Sequence, residues 1–311
     1  MRIMFMGTPE ISAICLKKLI EDGHDIKAVV TREDKPRGRG NVMTPTPTKA
    51  LALENSIPVY EPKTLKDEAF AAVLDEIVPE LIVVVAFGKI LPLSVLEYPK
   101  YGCINLHVSL LPKYRGAAPM QRAIMNGESE TGVTVMHMNE GLDTGDIIST
   151  EVFPIGPEDN FEDIHDRSAE VGGVLLSRTI KDIESGVATR TKQNDAEATY
   201  AAKIEKSDAK IDFSRSAREL DFMIRGVTPI PGAFAYLGGK MLKIVKAKPV
   251  ANKKGAVGEV IDADGVGQGS FTVACGEGAL EVTVVIPEGK GKMSAGDFIR
   301  GRKIKIGDVL E

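Results

Sequence analysis

The chain has 311 residues, 43% hydrophobic and 27% charged, with a formal net charge of −5. This is the make-up of an ordinary soluble globular protein of about two domains, and it argues against a generic nucleic-acid binder. No apolar run approaches the roughly 18 residues a membrane helix needs, and Met1-Arg2-Ile3-Met4-Phe5-Met6-Gly7 enters an apolar strand without the layout of a signal peptide, so the expected location is the cytoplasm with no membrane partner.

The first two-thirds alternate strand and helix patterns. Residues 3–6 read as an apolar strand ending at Gly7. Thr8-Pro9 reads as a helix N-cap and first helical residue, because Pro at that position loses no needed donor. Apolar residues then recur at helical spacing from Ile11 to Ile20, with Gly23 as the stop. Residues 26–30 predict a second strand. Residues 81–86 are nearly all apolar, as in a strand buried on both faces of a parallel sheet. Further strands are expected at 103–108, 133–138 and 147–153, and helices at 48–55, 65–77, 119–126 and 161–185. This order predicts an α/β domain over 1–188, a Rossmann-like, doubly wound, mostly parallel sheet.

Residues 189–207 are polar and without sustained period, and read as a linker. Residues 208–311 change character. After a short helix at 216–225, β-type runs occur at 233–237, 242–247, 258–263, 271–274, 280–285 and 303–306, punctuated by glycines. They predict a small β-barrel. This part carries 16 Lys and Arg against 13 Asp and Glu, a net +3, while the remainder carries −8. The asymmetry fits a domain facing nucleic acid and equally fits a solvated surface with no partner.

One connection is about twice the usual length. Between strand two and the next helix, residues 32–45 include Arg32, Lys35, Arg37 and Arg39 among Gly and Pro. Two readings stand, a solvated loop or a loop that meets phosphate or RNA and orders on contact.

Cys15, Cys103 and Cys275 are far apart in apolar stretches, which predicts buried thiols rather than a disulfide framework. His24, His107, His137 and His165 are isolated, without metal-binding spacing, so no metal is expected. The turn after the first strand lacks the G-x-G-x-x-G of a dinucleotide site, and no G-x-S-x-G elbow occurs.

The informative segment is Asn105-Leu106-His107-Val108-Ser109-Leu110-Leu111-Pro112-Lys113-Tyr114-Arg115-Gly116. Alternate side chains of a strand share a face, so Asn105, His107 and Ser109 point together. They stand at the carboxyl end of an inner strand, where open α/β sheets place ligands. Gly141-Leu142-Asp143-Thr144-Gly145-Asp146 follows another strand. A structural Asx-turn and a catalytic carboxylate both fit its spacing. The chemistry that Asn, His and Asp suit together is acyl transfer to an amine. Asn and His can donate to a developing oxyanion, and a His or carboxylate can take the amine proton.

Asn105-x-His107, the run from Ser109 to Pro119 and Gly141-Leu142-Asp143-Thr144-Gly145-Asp146 resemble the signature of the folate-dependent formyltransferases. Gly7-Thr8-Pro9, Gly38-Arg39-Gly40, Ala198-Thr199-Tyr200-Ala201, Thr228-Pro229-x-Pro231-Gly232-Ala233 and Gly296-Asp297-Phe298-Ile299-Arg300-Gly301 are similar to members whose acceptor is methionine on an initiator tRNA. The resemblance implies Asn105, His107 and Asp143 as the catalytic trio. It implies a site for 10-formyltetrahydrofolate, the formyl donor, lined by Ser109, Leu110, Leu111 and Pro112, with backbone near Phe87-Gly88 holding the pterin. It also implies Arg39, with Arg37, in a loop reading the tRNA acceptor end, an OB-like barrel gripping the tRNA, and a monomer. The loop departs from the family where Asn41-Val42-Met43 stand in place of frequent lysines. A formyltransferase for sugars or other small amines would carry the same trio without needing the basic loop or the barrel. A non-catalytic RNA-binding protein of the same fold would not need the trio.

Overall fold

The computed structural model describes residues 1–37, 42–251 and 255–311. The chain forms two compact units. The first holds Met1–Gly116, Glu130–Pro154 and His165–Ala201, and the second holds Ala117–Ser129, Ile155–Ile164 and Ala202–Glu311.

In chain order the elements begin with β1 (Arg2–Gly7), α1 (Glu10–Glu21), β2 (Asp25–Val30), β3 (Lys35–Arg37), β4 (Val42–Thr44), α2 (Pro47–Glu54) and β5 (Val59–Tyr60). There follow α3 (Glu68–Ile77), β6 (Leu81–Val85), α4 (Leu93–Leu96), β7 (Cys103–His107), β8 (Arg115–Gly116) and α5 (Pro119–Met125). Then come β9 (Glu130–His137), β10 (Ile147–Pro154), α6 (Phe161–Ser185) and β11 (Tyr200–Ala201).

The main sheet of the first unit has the order β10-β9-β7-β6-β1-β2-β5. β5, β2, β1, β6 and β7 are parallel, and β9 runs antiparallel to both β7 and β10. The central strands are sequestered on both faces: Ile3 to Met6 are fully buried, and so are Leu81, Ile82 and Val83. That is why they read as continuous apolar runs rather than as an alternation.

Helix starts differ from expectation where a side chain has another partner. Thr8 does not cap α1; its hydroxyl donates to the Phe87 carbonyl at 3.3 Å, its amide donates to Ser12 Oγ at 3.2 Å, and Pro9 takes the cap position. α3 starts at Glu68 rather than near 65 because Asp67 accepts the Phe70 amide at 3.0 Å and stops the helix from extending back. The long basic connection holds a hairpin, with β3 pairing antiparallel with β4.

The second unit continues with α7 (Ala217–Val227), β12 (Phe234–Leu237), β13 (Lys240–Val250), β14 (Val260–Asp264), β15 (Ser270–Ala274), β16 (Ala279–Pro287), β17 (Met293–Ser294) and α8 (Ala295–Arg300). The sheet order is β12-β13-β16-β15-β14, with β17 on β16. Its core joins Leu220, Ile224 and Val227 of α7 to Ile244, Val260, Phe271 and Val282 of the strands. Ser216 and Glu219 form a capping box that sets the start of α7. The C-terminal tail serves both edge strands. Glu311 and Tyr236 exchange backbone hydrogen bonds of 2.7 and 2.9 Å, and Val260 N donates to the Asp308 carbonyl at 2.8 Å. Both open edges are thereby paired and the sheet is closed, as in a small barrel.

Two expectations fail here. Residues 303–306 are not a strand: Lys303 N bonds the Phe298 carbonyl and Asp308 N bonds the Lys305 carbonyl, so the backbone is committed to turns around the buried Ile304. The helix α8, capped by Ser294, stands where no helix is expected. The grouping of 117–129 with 202–311 also differs from a single cut near 189–207. α5 packs on α7, and at Gly226 a Cβ would lie 2.5 Å from Met125 Cγ and 2.9 Å from the Gln121 carbonyl oxygen. A glycine is required where the two helices approach this closely.

Candidate active site

The site grows from the carboxyl end of β7. Leu106 faces the core at 3% exposure, which turns Asn105 and His107 to the opposite face. His107 lies opposite Thr134 of β9 and is 6% exposed. Among the described residues the half-buried Asn105 amide has no hydrogen-bond partner, so its donors are free for a ligand. The chain beyond His107 is pinned by Thr134, whose Oγ1 donates to the Ser109 carbonyl at 2.7 Å and accepts from Leu111 N at 3.3 Å.

His107 sits between two fixed groups. Nε2 is 2.9 Å from the Tyr114 carbonyl, and Nδ1 is 3.6 Å from Asp143 Oδ2. A carbonyl only accepts, so Nε2 carries a hydrogen, and Nδ1, turned toward the carboxylate, is the nitrogen left to exchange a proton. Asp143 Oδ2 also accepts the Gly116 amide at 2.8 Å. Tyr114 and Gly116 are two residues apart, so one short stretch holds both partners of the pair. Asp143 has a φ of 53°. For an aspartate this left-handed conformation costs on the order of 1 kcal/mol, and it must be held by the surrounding bonds. Two residues on, a Cβ at Gly145 would lie 1.6 Å from the His137 carbonyl oxygen, so no other residue fits there.

The structure places the other expected residues as follows. Ser109 is fully buried and its hydroxyl donates to the Lys113 carbonyl at 2.7 Å, so it shapes the loop. Leu111 is buried, while Leu110 and Pro112 are partly open. Phe87 packs in the core with Leu91 and Val95, whereas Gly88 beside it is exposed with a φ of 78°. That leaves backbone, not the phenyl ring, accessible there. Arg37 closes β3, and Arg39 lies outside the described residues. The root of that connection is tied by Lys49, which bonds Asp34 at 2.8 Å and Glu61 at 2.7 Å; the two carboxylates, Asp34 first, hold the ammonium above its ordinary range.

Groups outside the trio are set by burial. Burial and then Arg190 push His137 down to about 4, so its ring is neutral near pH 7. Burial pushes the Cys103 thiol up to about 12. Among the described residues no cluster of three or more His, Cys, Asp or Glu could hold a metal ion.

Residues 189–201 are more than the linker their polarity suggests. β11 pairs with β8, Thr199 Oγ1 accepts from Tyr114 N at 2.9 Å, and Gln193 bonds Arg115 and the carbonyls of Asp143 and Gly145. Sequence reasoning misses Gln193 and Thr134. The signal near them was the Ala198-Thr199-Tyr200-Ala201 motif, which carries part of the family resemblance.

Comparison with known proteins agrees along the whole chain. A formyl transferase family matches residues 1–180, and a formyl transferase C-terminal domain matches 203–303. The methionyl-tRNA formyltransferase of Lachnospira eligens is 45% identical, covering 100% of this chain and 99% of its own length. That of Geotalea uraniireducens is 46% identical, covering 100% and 98%. Among solved structures, an N-formyltransferase from Helicobacter canadensis matches with a TM-score of 0.66 at 22% identity, over 90% of this chain and 97% of that one. HypX from Aquifex aeolicus also has a TM-score of 0.66, at 20% identity over 96% of this chain and 48% of that one. These two likenesses extend the fold. The close full-length relatives and the two family matches decide the membership: the chain belongs to the formyl transferase family, and within it to the methionyl-tRNA formyltransferases.

Proposed function

We propose that the chain moves a formyl group from 10-formyltetrahydrofolate to the free amine of methionine on initiator methionyl-tRNA, with Asn105, His107 and Asp143 as the residues that act on it. The observation that carries the reading is the His107–Asp143 pair at 3.6 Å, with Asn105, whose amide has no hydrogen-bond partner among the described residues, on the same face of β7 at the carboxyl end of an inner strand. The folate supplies the activated formyl group. Asn105 donates to the formyl oxygen as negative charge develops on it. The attacking amine loses its proton to the His107–Asp143 pair, and Nδ1, whose lone pair the Tyr114 bond leaves free, is the atom that receives it. Asp143 faces the imidazolium and stabilises it until the tetrahedral intermediate collapses, when the C–N10 bond breaks and the proton passes from His107 to N10 of the leaving tetrahydrofolate.

The loop from Ser109 to Pro112 and the backbone at Phe87 and Gly88 line the folate side, supported by the exposed Gly88 and the partly open Leu110 and Pro112. Arg39 and Arg37 meet the tRNA acceptor end. Residues 208–311 grip the tRNA, with 1–188 catalytic and 189–207 joining them. The second unit offers a cleft of about 1060 Å³ where Lys243, Lys246, Lys248 and Lys292 share the lining with carboxylates that include Glu158 and Asp163. The enzyme works in the cytoplasm, a reading supported by its translation-enzyme relatives, and works as a monomer; among the described residues no helix is long and apolar enough to cross a membrane.

The decisive experiment compares formylation of charged initiator tRNA with formylation of free amino sugars, using 10-formyltetrahydrofolate as donor. Strong preference for the charged tRNA is expected. Preference for an amino sugar would overturn the acceptor assignment, and no turnover with any amine would overturn the reaction.

A further inference from the structure

Gln193 uses every hydrogen-bonding position of its amide on the candidate site. Its Nε2 donates to the Asp143 carbonyl at 2.8 Å and to the Gly145 carbonyl at 2.7 Å, with the Met136 sulfur a longer, weaker contact at 3.9 Å. Its Oε1 accepts from Arg115 Nε at 3.1 Å and Nη2 at 2.8 Å. Two donors and two acceptor lone pairs exhaust a primary amide. The orientation of the amide is therefore not free, because reversing it would put N–H against N–H and oxygen against carbonyl.

Arg115 explains why it does not reverse. The guanidinium is 2% exposed, and a buried cation needs partners. Among the described residues these are Gln193 and Asp195, the latter at 2.8 Å and 82% exposed. One carboxylate on the surface would be enough to offset the charge. Nε and one N–H of Nη2 are turned onto an uncharged amide, which fixes the oxygen of Gln193 toward Arg115 and its nitrogen toward the Asp143 loop.

The loop so held is the strained one. Asp143 is gripped at both ends from a single two-residue strand. Arg115 reaches its main chain through Gln193, and the next residue, Gly116, donates its amide to Oδ2. With φ at 53° the loop would relax once the two carbonyl bonds were removed, and the carboxylate would swing relative to His107.

We infer that Gln193, locked by Arg115, is a positioning residue that sets the Asp143 carboxylate against His107. The inference rests on the proposed role of Asp143. Gln193 touches no reacting atom; it acts by fixing a geometry in which an error of about 1 Å can cost on the order of 100-fold in rate.

The test is a pair of substitutions, each made in the parent chain and in Asp143→Asn. Gln193→Met keeps the length and removes all four hydrogen bonds. Gln193→Glu leaves Arg115 an acceptor and removes only the two donors; it carries the comparison if Gln193→Met does not fold, as read from thermal unfolding. With 10-formyltetrahydrofolate and initiator methionyl-tRNA, kcat should fall about 10–100-fold while both KM values stay within about twofold. The acid limb of the kcat–pH profile should move in the same direction as in Asp143→Asn. In the Asp143→Asn background the same substitutions should cost almost nothing more, because no charge remains to be aimed. Turnover close to the parent's in both Gln193 variants overturns the inference, as does an equal loss in both backgrounds, which would mean that Gln193 supports the fold and not the charge. Full turnover in Asp143→Asn strikes the role of Asp143 and the inference with it. A slow Asp143→Asn beside an unimpaired Gln193→Met strikes the inference alone.

Discussion

The polar groups of the first unit's site and those on β13 of the second unit are held in opposite ways. Around β7 almost every polar atom is committed: His107 to Tyr114, Asp143 to Gly116, Ser109 to Lys113 and Arg115 to Gln193. Most of these groups are buried, where each bond gains from a low local dielectric and each missing bond is costly. On β13 of the second unit the charges stand in solvent. Lys246 pairs with Glu158 and Lys248 with Glu281, but both lysines are more than 60% exposed. Exposed pairs contribute little to stability. They leave cations that can exchange a carboxylate for another anion at small cost. One region is organised for a geometry fixed to fractions of an ångström, the other for attraction that tolerates imprecision. Substitutions in the first should therefore act on turnover, and in the second on affinity and its salt dependence.

The largest expected effect is in the buried site. His107→Ala and Asn105→Ala should each lower kcat by ~10²–10³, the usual cost of losing one oxyanion donor or general base. Steady-state rates at saturating folate and tRNA decide this, and near-normal turnover in either variant would mean the site is misplaced. Asp143→Asn preserves shape and the Gly116 bond while removing the charge. A loss of about 10–100-fold in kcat is expected, with folate affinity by titration largely unchanged. Full activity across neutral pH would reduce Asp143 to a turn residue.

A smaller effect is expected of the exposed cations. Lys246→Ala with Lys248→Ala, and Arg39→Ala separately, should weaken initiator-tRNA binding several-fold. Each should also flatten its salt dependence, by ~0.7–0.9 in the slope of log K against log salt for every phosphate no longer neutralised. Folate binding should not change. Salt titrations of tRNA affinity are the measurement. Identical slopes in all variants would sever the second unit and the basic loop from the tRNA and erase the contrast between the two regions. Substitution is a cleaner tool than removing residues 208–311, because α5, at 119–125, packs on α7 and would lose its cover.

The smallest effect is an absence of change. Burial raises the thiols of Cys15 and Cys103 to about 12 and of Cys275 to about 11. A raised thiol value leaves the neutral, unreactive form dominant below it, so at pH 8 the native chain should resist iodoacetamide and keep its activity. Reactivity should appear only on unfolding. Rapid alkylation of Cys103 in the native protein, followed by mass spectrometry, would show that β7 opens far more than the buried site described here permits.

Local patterns in the sequence determined the parallel sheet, most of its helices and the shared face of Asn105 and His107. Strand alternation and apolar runs depend only on near neighbours in the chain, and the Gly141–Asp146 motif offered its carboxylates on the same terms. What local patterns could not decide was which groups meet across long separations. Asp143 lies 36 positions beyond His107, and whether it was a turn residue or a partner depended on β7 and β9 lying side by side. Gln193 and Thr199 sat in a polar stretch without period, and a hydrogen bond to a carbonyl 50 positions away leaves no trace in spacing. The same limit explains α8, the turn at 303–306 and the tail that pairs with both edge strands. Each is settled by which backbone partners remain free once the sheet of the second unit has formed, and that is decided by packing of the whole unit.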